Sequence, residues 1–280
     1  MNRESIRNRA LVTLAATAIA AGTLSTAAPA TAAPQVGPDV SSHQHPGSTF
    51  INWFAVRAAG QQLAMVKATE STWYVNPYFV PDSLSMRAAG LIRGTYHYAD
   101  PSRSATAQAL FYATTVLGQN GILDLPPVLD LEATGGLGPR ALAAWVREFF
   151  GTLEAITHRK TIIYTYPHFW NTAMGGTREF GDHPLWIASY NGKAAPEMPR
   201  GGWRTWTFWQ FTDHGRLAGV PTRVDLNRYN GSIAGLRRYG NALNAFWKLT
   251  PTKPRARRAP ARTRFVPPWP LRHPTIPLPH

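Results

Sequence analysis

No cysteine occurs among the 280 residues, so neither a disulfide nor a thiolate metal site can form. Stability must then come from a packed core, which a body of about 200 residues can supply. Acidic residues are scarce, 15 against 29 Lys and Arg, for a formal net charge of +14. Long hydrophobic runs are missing too. The one apolar stretch near the N-terminus, from Leu11 to Ala21, is too short to span a bilayer stably. A phosphate-binding glycine loop is also absent. Gly135-Gly136-Leu137-Gly138 follows a strand-like run but lacks the Gly-x-Gly-x-x-Gly spacing. These absences exclude a disulfide-stapled fold and leave nucleotide binding without a motif.

The positive charge is unevenly placed. Arg3, Arg7 and Arg9 precede the short apolar run, and Ala30-Thr31-Ala32 has the form of a cleavage site. Residues 1–33 therefore read as a secretory signal peptide, and the protein is expected to be secreted, extracellular or wall-associated. From Lys248 onward there are eight Lys and Arg, no Asp or Glu, and nine prolines. Residues 241–280 read as a disordered basic tail that could meet anionic wall polymers, or as a solvated appendage with no specific partner. The body, residues 34–240, keeps only +4. A nucleic-acid partner is not expected, nor a stable membrane span, and the body is expected to act as a monomer.

Within the body, strand-like runs at 35–40, 63–67, 91–98, 127–132, 161–165, 185–189, 205–211 and 224–227 alternate with helical patterns at 53–59, 79–89, 105–117 and 139–157. The first three helical patterns stop at Gly60, Gly90 and Gly118, and the fourth starts at Pro139. Such alternation predicts an α/β fold with a mainly parallel sheet, and about eight strands suggest closure into a barrel. No helical pattern lies between Tyr190 and Trp206, so the barrel is expected to be irregular there.

In a parallel barrel the site lies at the C-terminal strand ends, and polar residues gather at those ends here. Asp130 and Glu132 close the run Leu125-Pro126-Pro127-Val128-Leu129-Asp130-Leu131-Glu132. Positions two apart on a strand share a face, with α-carbons about 6.6 Å apart at roughly 3.3 Å per residue. Paired buried acids repel and desolvate one another, so one pKa is expected to rise while the other stays low, as acid/base chemistry on a sugar requires. Two solvated acids at a strand end would be the bland alternative. Asp39 and Asp225 lie at other strand ends. Tyr96, Tyr98, Tyr164 and Trp209 are expected in the cleft by the same placement, with Lys67 pairing a cleft carboxylate, contacting substrate or forming a structural ion pair. His43 and His45 lack a third ligand at metal-binding spacing, so neither a metal nor a cofactor is expected.

Eight short segments occur in one order: Gly37-Pro38-Asp39-Val40-Ser41-Ser42-His43-Gln44, Met65-Val66-Lys67-Ala68-Thr69-Glu70, Gly94-Thr95-Tyr96-His97-Tyr98, Pro127 to Glu132, Ile163-Tyr164-Thr165, Leu185-Trp186-Ile187-Ala188-Ser189-Tyr190, Trp209-Gln210-Phe211 and Val224-Asp225-Leu226-Asn227. In that order the body resembles the glycoside hydrolase family 25 lysozymes, the Chalaropsis-type muramidases, over roughly residues 36–240. The resemblance implies a flattened, irregular TIM-like (β/α) barrel with later helices reduced or missing. It also implies hydrolysis of the β-1,4 bond between N-acetylmuramic acid and N-acetylglucosamine in peptidoglycan. On it, Glu132 matches the general acid, Asp130 its strand partner, and Asp39 and Asp225 the further acids of the cleft. It favours net retention assisted by the substrate's own 2-acetamido group. The sequence departs from the family at Ser71, where glycine is usual, and at His43, where tyrosine is common. A non-catalytic wall-binding protein with the same cleft is the competing reading. Four acids in a sugar groove count against it.

Overall fold

The computed structural model describes residues 35–117 and 124–240. The expected signal peptide, the basic tail and the helix stop at Gly118 lie outside the described residues.

Nine strands form one sheet. They are β1 (Gln35–Val40), β2 (Leu63–Glu70), β3 (Tyr74–Val75), β4 (Ile92–Tyr98), β5 (Val128–Asp130), β6 (Ile162–Thr165), β7 (Leu185–Ala188), β8 (Phe208–Gly215) and β9 (Val224–Tyr229). The helices are α1 (Trp53–Ala58), α2 (Phe79–Ala88), α3 (Ala105–Leu117), α4 (Pro139–Thr157), α5 (Pro167–Thr172) and α6 (Ile233–Gly240). The spatial order is β1-β9-β8-β7-β6-β5-β4-β2-β3, and β1 also pairs with β2. Eight strands therefore close into a barrel, as expected, and β3 hangs on β2 as an extra hairpin arm.

Pairing is parallel from β1 through β2, β4, β5, β6 and β7 to β8. The last strand departs from the parallel expectation. β9 is antiparallel to both β8 and β1. The eight residues between β8 and β9 are too few for a crossover, so the chain must turn back as a hairpin. Asp225, expected at a strand's C-terminal end, is thus the second residue of its strand. Reversal of β9 puts that start on the same rim as the other strands' ends. No helix or strand lies between Ala188 and Phe208, as expected. The hairpin arm β3 and helices α5 and α6 have no counterpart in the sequence expectations.

Two-residue alternation sorts the side chains. Leu63, Met65, Tyr96, Val128, Ile162, Tyr164, Trp186 and Phe208 fill the barrel interior. Their neighbours Ala64, Val66, Leu129 and Ile163 face outward beneath the helices. Helix α4 shows why the outer layer forms. Proline opens its first turn, where the missing N–H costs nothing, and Leu142, Val146, Phe149 and Leu153 recur at helical spacing on its buried face. Gly37 sits where β1 passes β2 most closely: a Cβ there would lie 1.6 Å from Leu63 O.

Candidate active site

A cavity of about 230 Å³ opens at the barrel mouth. It brings together eight of the nine site residues expected from sequence: Asp39, Lys67, Tyr96, Tyr98, Asp130, Glu132, Tyr164 and Asp225. Asp39 and Asp225 face each other directly across β1 and β9, and their carboxyls share a hydrogen bond. Asp130 stands level with Tyr98 on β4 and Tyr164 on β6. Glu132 lies two residues beyond the end of β5, where Leu131 N still donates to Tyr164 O at 3.0 Å. That bond keeps the chain extended, so Leu131 is buried outward and Glu132 turns into the mouth. The carboxyls of Asp130 and Glu132 also share a hydrogen bond.

Trp209 is the exception. Its side chain packs on the outer face with Leu185, Ile187 and Trp206, under the Arg228 guanidinium at 5.1 Å, and its indole donates to Ser189 O. Alternation on β8 turns Phe208 and Gln210 inward and Trp209 outward. Gln210 is therefore the residue this strand gives the site. Its Nε2 donates to Asp39 Oδ2 at 2.9 Å, and its Oε1 accepts from the hydroxyls of Tyr164, at 2.8 Å, and Tyr190. Asn227 donates to the same Asp39 oxygen at 2.8 Å and accepts from Trp186 Nε1 at 2.7 Å. Sequence reading missed Gln210, Asn227, Trp186, Ser41 and His43 as site residues. A signal existed for the two amides. Gln210 is the lone polar residue in a run of aromatics, and Asn227 shares Asp225's strand face.

Lys67 points inward with Leu63 and Met65. It pairs with Glu70 and lies over the rings of Tyr98, at 4.7 Å, and Tyr74, at 5.5 Å. Its charge lowers the pKa of both Asp130 and Glu132. That offset is too small. Burial raises Asp130 well above the carboxylate range, and the Glu132 charge raises it further. Glu132 is also raised by burial, which outweighs its hydrogen bond from Asp130. Burial raises Asp39 despite its two amide donors, and lifts Asp225 to about 8 with help from the Asp39 charge. The expectation that one acid of the pair stays low is not met, because both are desolvated and the nearby ammonium is shared with Glu70. Two buried and two half-buried acids crowded together cannot all ionise, so the mouth retains protons near neutrality. One further feature stands out. Asp130 Oδ1 is buried without a hydrogen-bond partner.

Of the two histidines weighed as metal ligands, His43 lines the cavity. The ring nitrogens of His45 are engaged by Thr49 O and Asp82. Ser71, at the family's glycine position, has φ 50, the left-handed conformation that glycine adopts at little cost. Its hydroxyl donates to Asp100 at 2.9 Å and holds it there.

Comparison with known proteins gives a consistent result. The sequence profile of Glycosyl hydrolases family 25 matches residues 38–220. The chain is 39% identical over 214 residues to Lysozyme M1 of Streptomyces globisporus, covering 73% of this chain and 71% of that one. It is 33% identical over 214 residues to the N,O-diacetylmuramidase of Chalaropsis sp, covering 72% of this chain and 97% of that one. The crystal structure of the lysozyme from Streptomyces coelicolor superposes with a TM-score of 0.69 at 38% identity, over 76% of this chain and 99% of that one.

Proposed function

We propose that this chain, which belongs to glycosyl hydrolases family 25, cleaves the β-1,4 bond between N-acetylmuramic acid and N-acetylglucosamine with Glu132 as general acid and Asp130 as its partner. It is a glycoside hydrolase with lysozyme and muramidase relatives, and peptidoglycan is the substrate class that follows.

The observation that carries the mechanism is the pairing of Glu132 with an Asp130 whose Oδ1 has no hydrogen-bond partner. A retaining pair with a carboxylate nucleophile stands about 5–5.5 Å apart, and an inverting pair about 6.5–9.5 Å apart. Carboxyls in hydrogen-bond contact suit neither arrangement. They suit a substrate that brings its own nucleophile. Glu132, half-buried and with its pKa raised by burial, gives its proton to the leaving glycosidic oxygen. The 2-acetamido oxygen attacks the anomeric carbon from the opposite face. Asp130 Oδ1 accepts the acetamido N–H and steadies the cyclic cation that forms. Water then opens that intermediate, with Glu132 taking the proton back, and configuration is retained. Asp39 is held by Gln210 and Asn227 and tied to Asp225, which suits it to shape the sugar pocket better than to attack. Tyr98 and Tyr164 flank Asp130 in register and line the same pocket.

The catalytic unit is residues 34–240. Residues 1–33 direct export, and the basic tail adds attraction to anionic walls. The test is product analysis. Muropeptides released from purified walls and reduced with borohydride should carry reduced muramic acid by mass spectrometry. Reduced glucosamine at that end would overturn the bond assignment. An initial α-anomer in proton NMR would overturn retention.

A further inference from the structure

Trp73 is 66% exposed, the most exposed large apolar side chain among the described residues. Trp53, Trp145, Trp170, Trp186, Trp203 and Trp209 each donate the indole N–H to an acceptor in the protein. Trp73 makes no such bond, and its ring meets only Tyr74, edge-on at 5.8 Å. Two-thirds exposed, the indole keeps most of its apolar surface in water, where a ligand face could cover it.

The segment carrying it is well anchored. Glu70 pairs with Tyr74 and Thr69 with Val75 across the β2–β3 hairpin. Ser71 ties the turn to the end of β4 through Tyr98 O at 3.2 Å and to Asp100. Asn76 closes the arm onto Lys67 O at 2.8 Å. Tyr74 donates to Ser42 at 3.1 Å and lies against Lys67, which lines the acid cavity. Trp73 thus stands one aromatic contact beyond the rim of the site, on a fixed arm.

The barrel order gives the line along which a long substrate can lie. In the ring of eight strands, β7 is diametrically opposite β2. Above β6 and β7 the mouth continues into an open depression of about 520 Å³ between Tyr166 and Tyr190. Tyr190, which lines the depression, bonds Gln210, which lines the acid cavity, so the two adjoin. A polymer threading the acids can enter over one side and leave over the other.

We propose that Trp73 is a stacking platform for a sugar of the glycan strand lying outside the cleaved pair. The proposal rests on the muramidase reading of the cleft. Its indole face covers the apolar C–H face of a pyranose ring, and the hairpin presents that face ready-made. The platform holds long strands across the mouth and has no contact with the reacting atoms.

The test compares wild type, Trp73→Ala and Trp73→Phe on peptide-free long glycan strands and on the shortest fragment the enzyme cleaves. Trp73→Ala should raise KM on long strands about tenfold with kcat unchanged, and leave the shortest fragment untouched. Trp73→Phe should recover most of the loss. Calorimetric binding of long strands to Glu132→Gln, with and without Trp73→Ala, gives a readout that needs no turnover and should show the same weakening. Equal KM and equal binding with and without the indole would overturn the platform. A loss seen only on strands bearing stem peptides would also overturn it, in favour of a peptide contact. Strands that bind and respond to Trp73→Ala yet are never cut would leave the platform standing and remove the muramidase reading. Failure of the Trp73-intact protein to bind strands at all would remove both.

Discussion

Asp82 and Asp130 are nearly equally buried, 2% and 6% exposed, yet their surroundings are opposite. Asp82, on α2, accepts from Trp53 Nε1 at 2.9 Å on one oxygen and shares a proton with His45 Nε2 at 3.0 Å on the other. His45 is stacked on Tyr78 at 3.7 Å and donates from Nδ1 to Thr49 O. That carboxylate ties the loop after β1 to the helices outside the barrel. Asp130 faces another acid, and one of its oxygens has no partner. Burial raises the pKa of both, but donors answer it at Asp82 and a second negative charge worsens it at Asp130. The difference separates a carboxylate placed for architecture from the one proposed to take part in the chemistry. Unmet desolvation is tolerated where a substrate completes the hydrogen bonding.

The largest expected effects break the comparison from both sides. Glu132→Gln should lose about 10²–10⁴-fold in kcat on walls with its melting temperature preserved. Asp130→Asn should also lose most activity, yet be about as stable as wild type, because the amide keeps the size of the carboxyl and removes an acid that burial and Glu132 both disfavour in its ionised form. Asp82→Ala should do the reverse. It should cost about 2–4 kcal/mol in denaturant unfolding by leaving His45 and the Trp53 indole unpaired, while the protein that remains folded keeps its kcat. Near-wild-type lysis by a folded Glu132→Gln would break the assignment.

Next comes the outward aromatic. Trp209→Ala should cost about 3–5 kcal/mol of stability. Its KM on short fragments should not move, since the ring packs outside the barrel. A KM change without a melting shift would put Trp209 back in the cleft.

The pH dependence sharpens the same contrast more gently. Asp225 titrates at about 8 in the folded protein against an ordinary 3.8. Between those values the folded state holds a proton that the unfolded chain has released. Its contribution to stability is therefore complete below about 3.8 and is lost as pH rises to about 8, at no more than about 1.4 kcal/mol per pH unit. His97 and His183, both lowered to about 4, act with the opposite sign. Their contribution is complete above about 6.5 and falls away below it. Stability should accordingly peak in the mildly acidic range, and Asp225→Asn should flatten the decline between about pH 6.5 and 8 in thermal melts.

The smallest effect concerns charge at a distance. Truncation at Gly240 removes eight basic groups and no acid. It should weaken retention on insoluble walls at low salt only, and leave turnover of soluble fragments unchanged. Equal pull-down of both forms at low salt would drop the tail from the functional account.

Much of the site was legible because alternation along a strand is a local property. Spacing alone put Asp130 with Glu132, and strand ends alone put Asp39, Lys67, Tyr96, Tyr98 and Tyr164 at one mouth. The same rule, applied strictly, would have chosen Gln210 over Trp209. Aromatic character was the weaker guide because an indole serves an outer layer as well as a cleft. Helices α5 and α6 were hard to read, since six and eight residues hold few helical repeats.

By itself the sequence determined the order of the eight barrel strands and the first four helices, the faces they present and the two acids two positions apart, all consequences of short-range periodicity. Only the tertiary structure decided that β9 runs backward between β8 and β1, that Asp225 thereby meets Asp39, and that Gln210 and Asn227 bridge them. Closure joins residues nearly two hundred positions apart, and no local pattern encodes that meeting. The protons held at the mouth follow from it as well, because desolvation and charge repulsion depend on what surrounds a carboxyl in space.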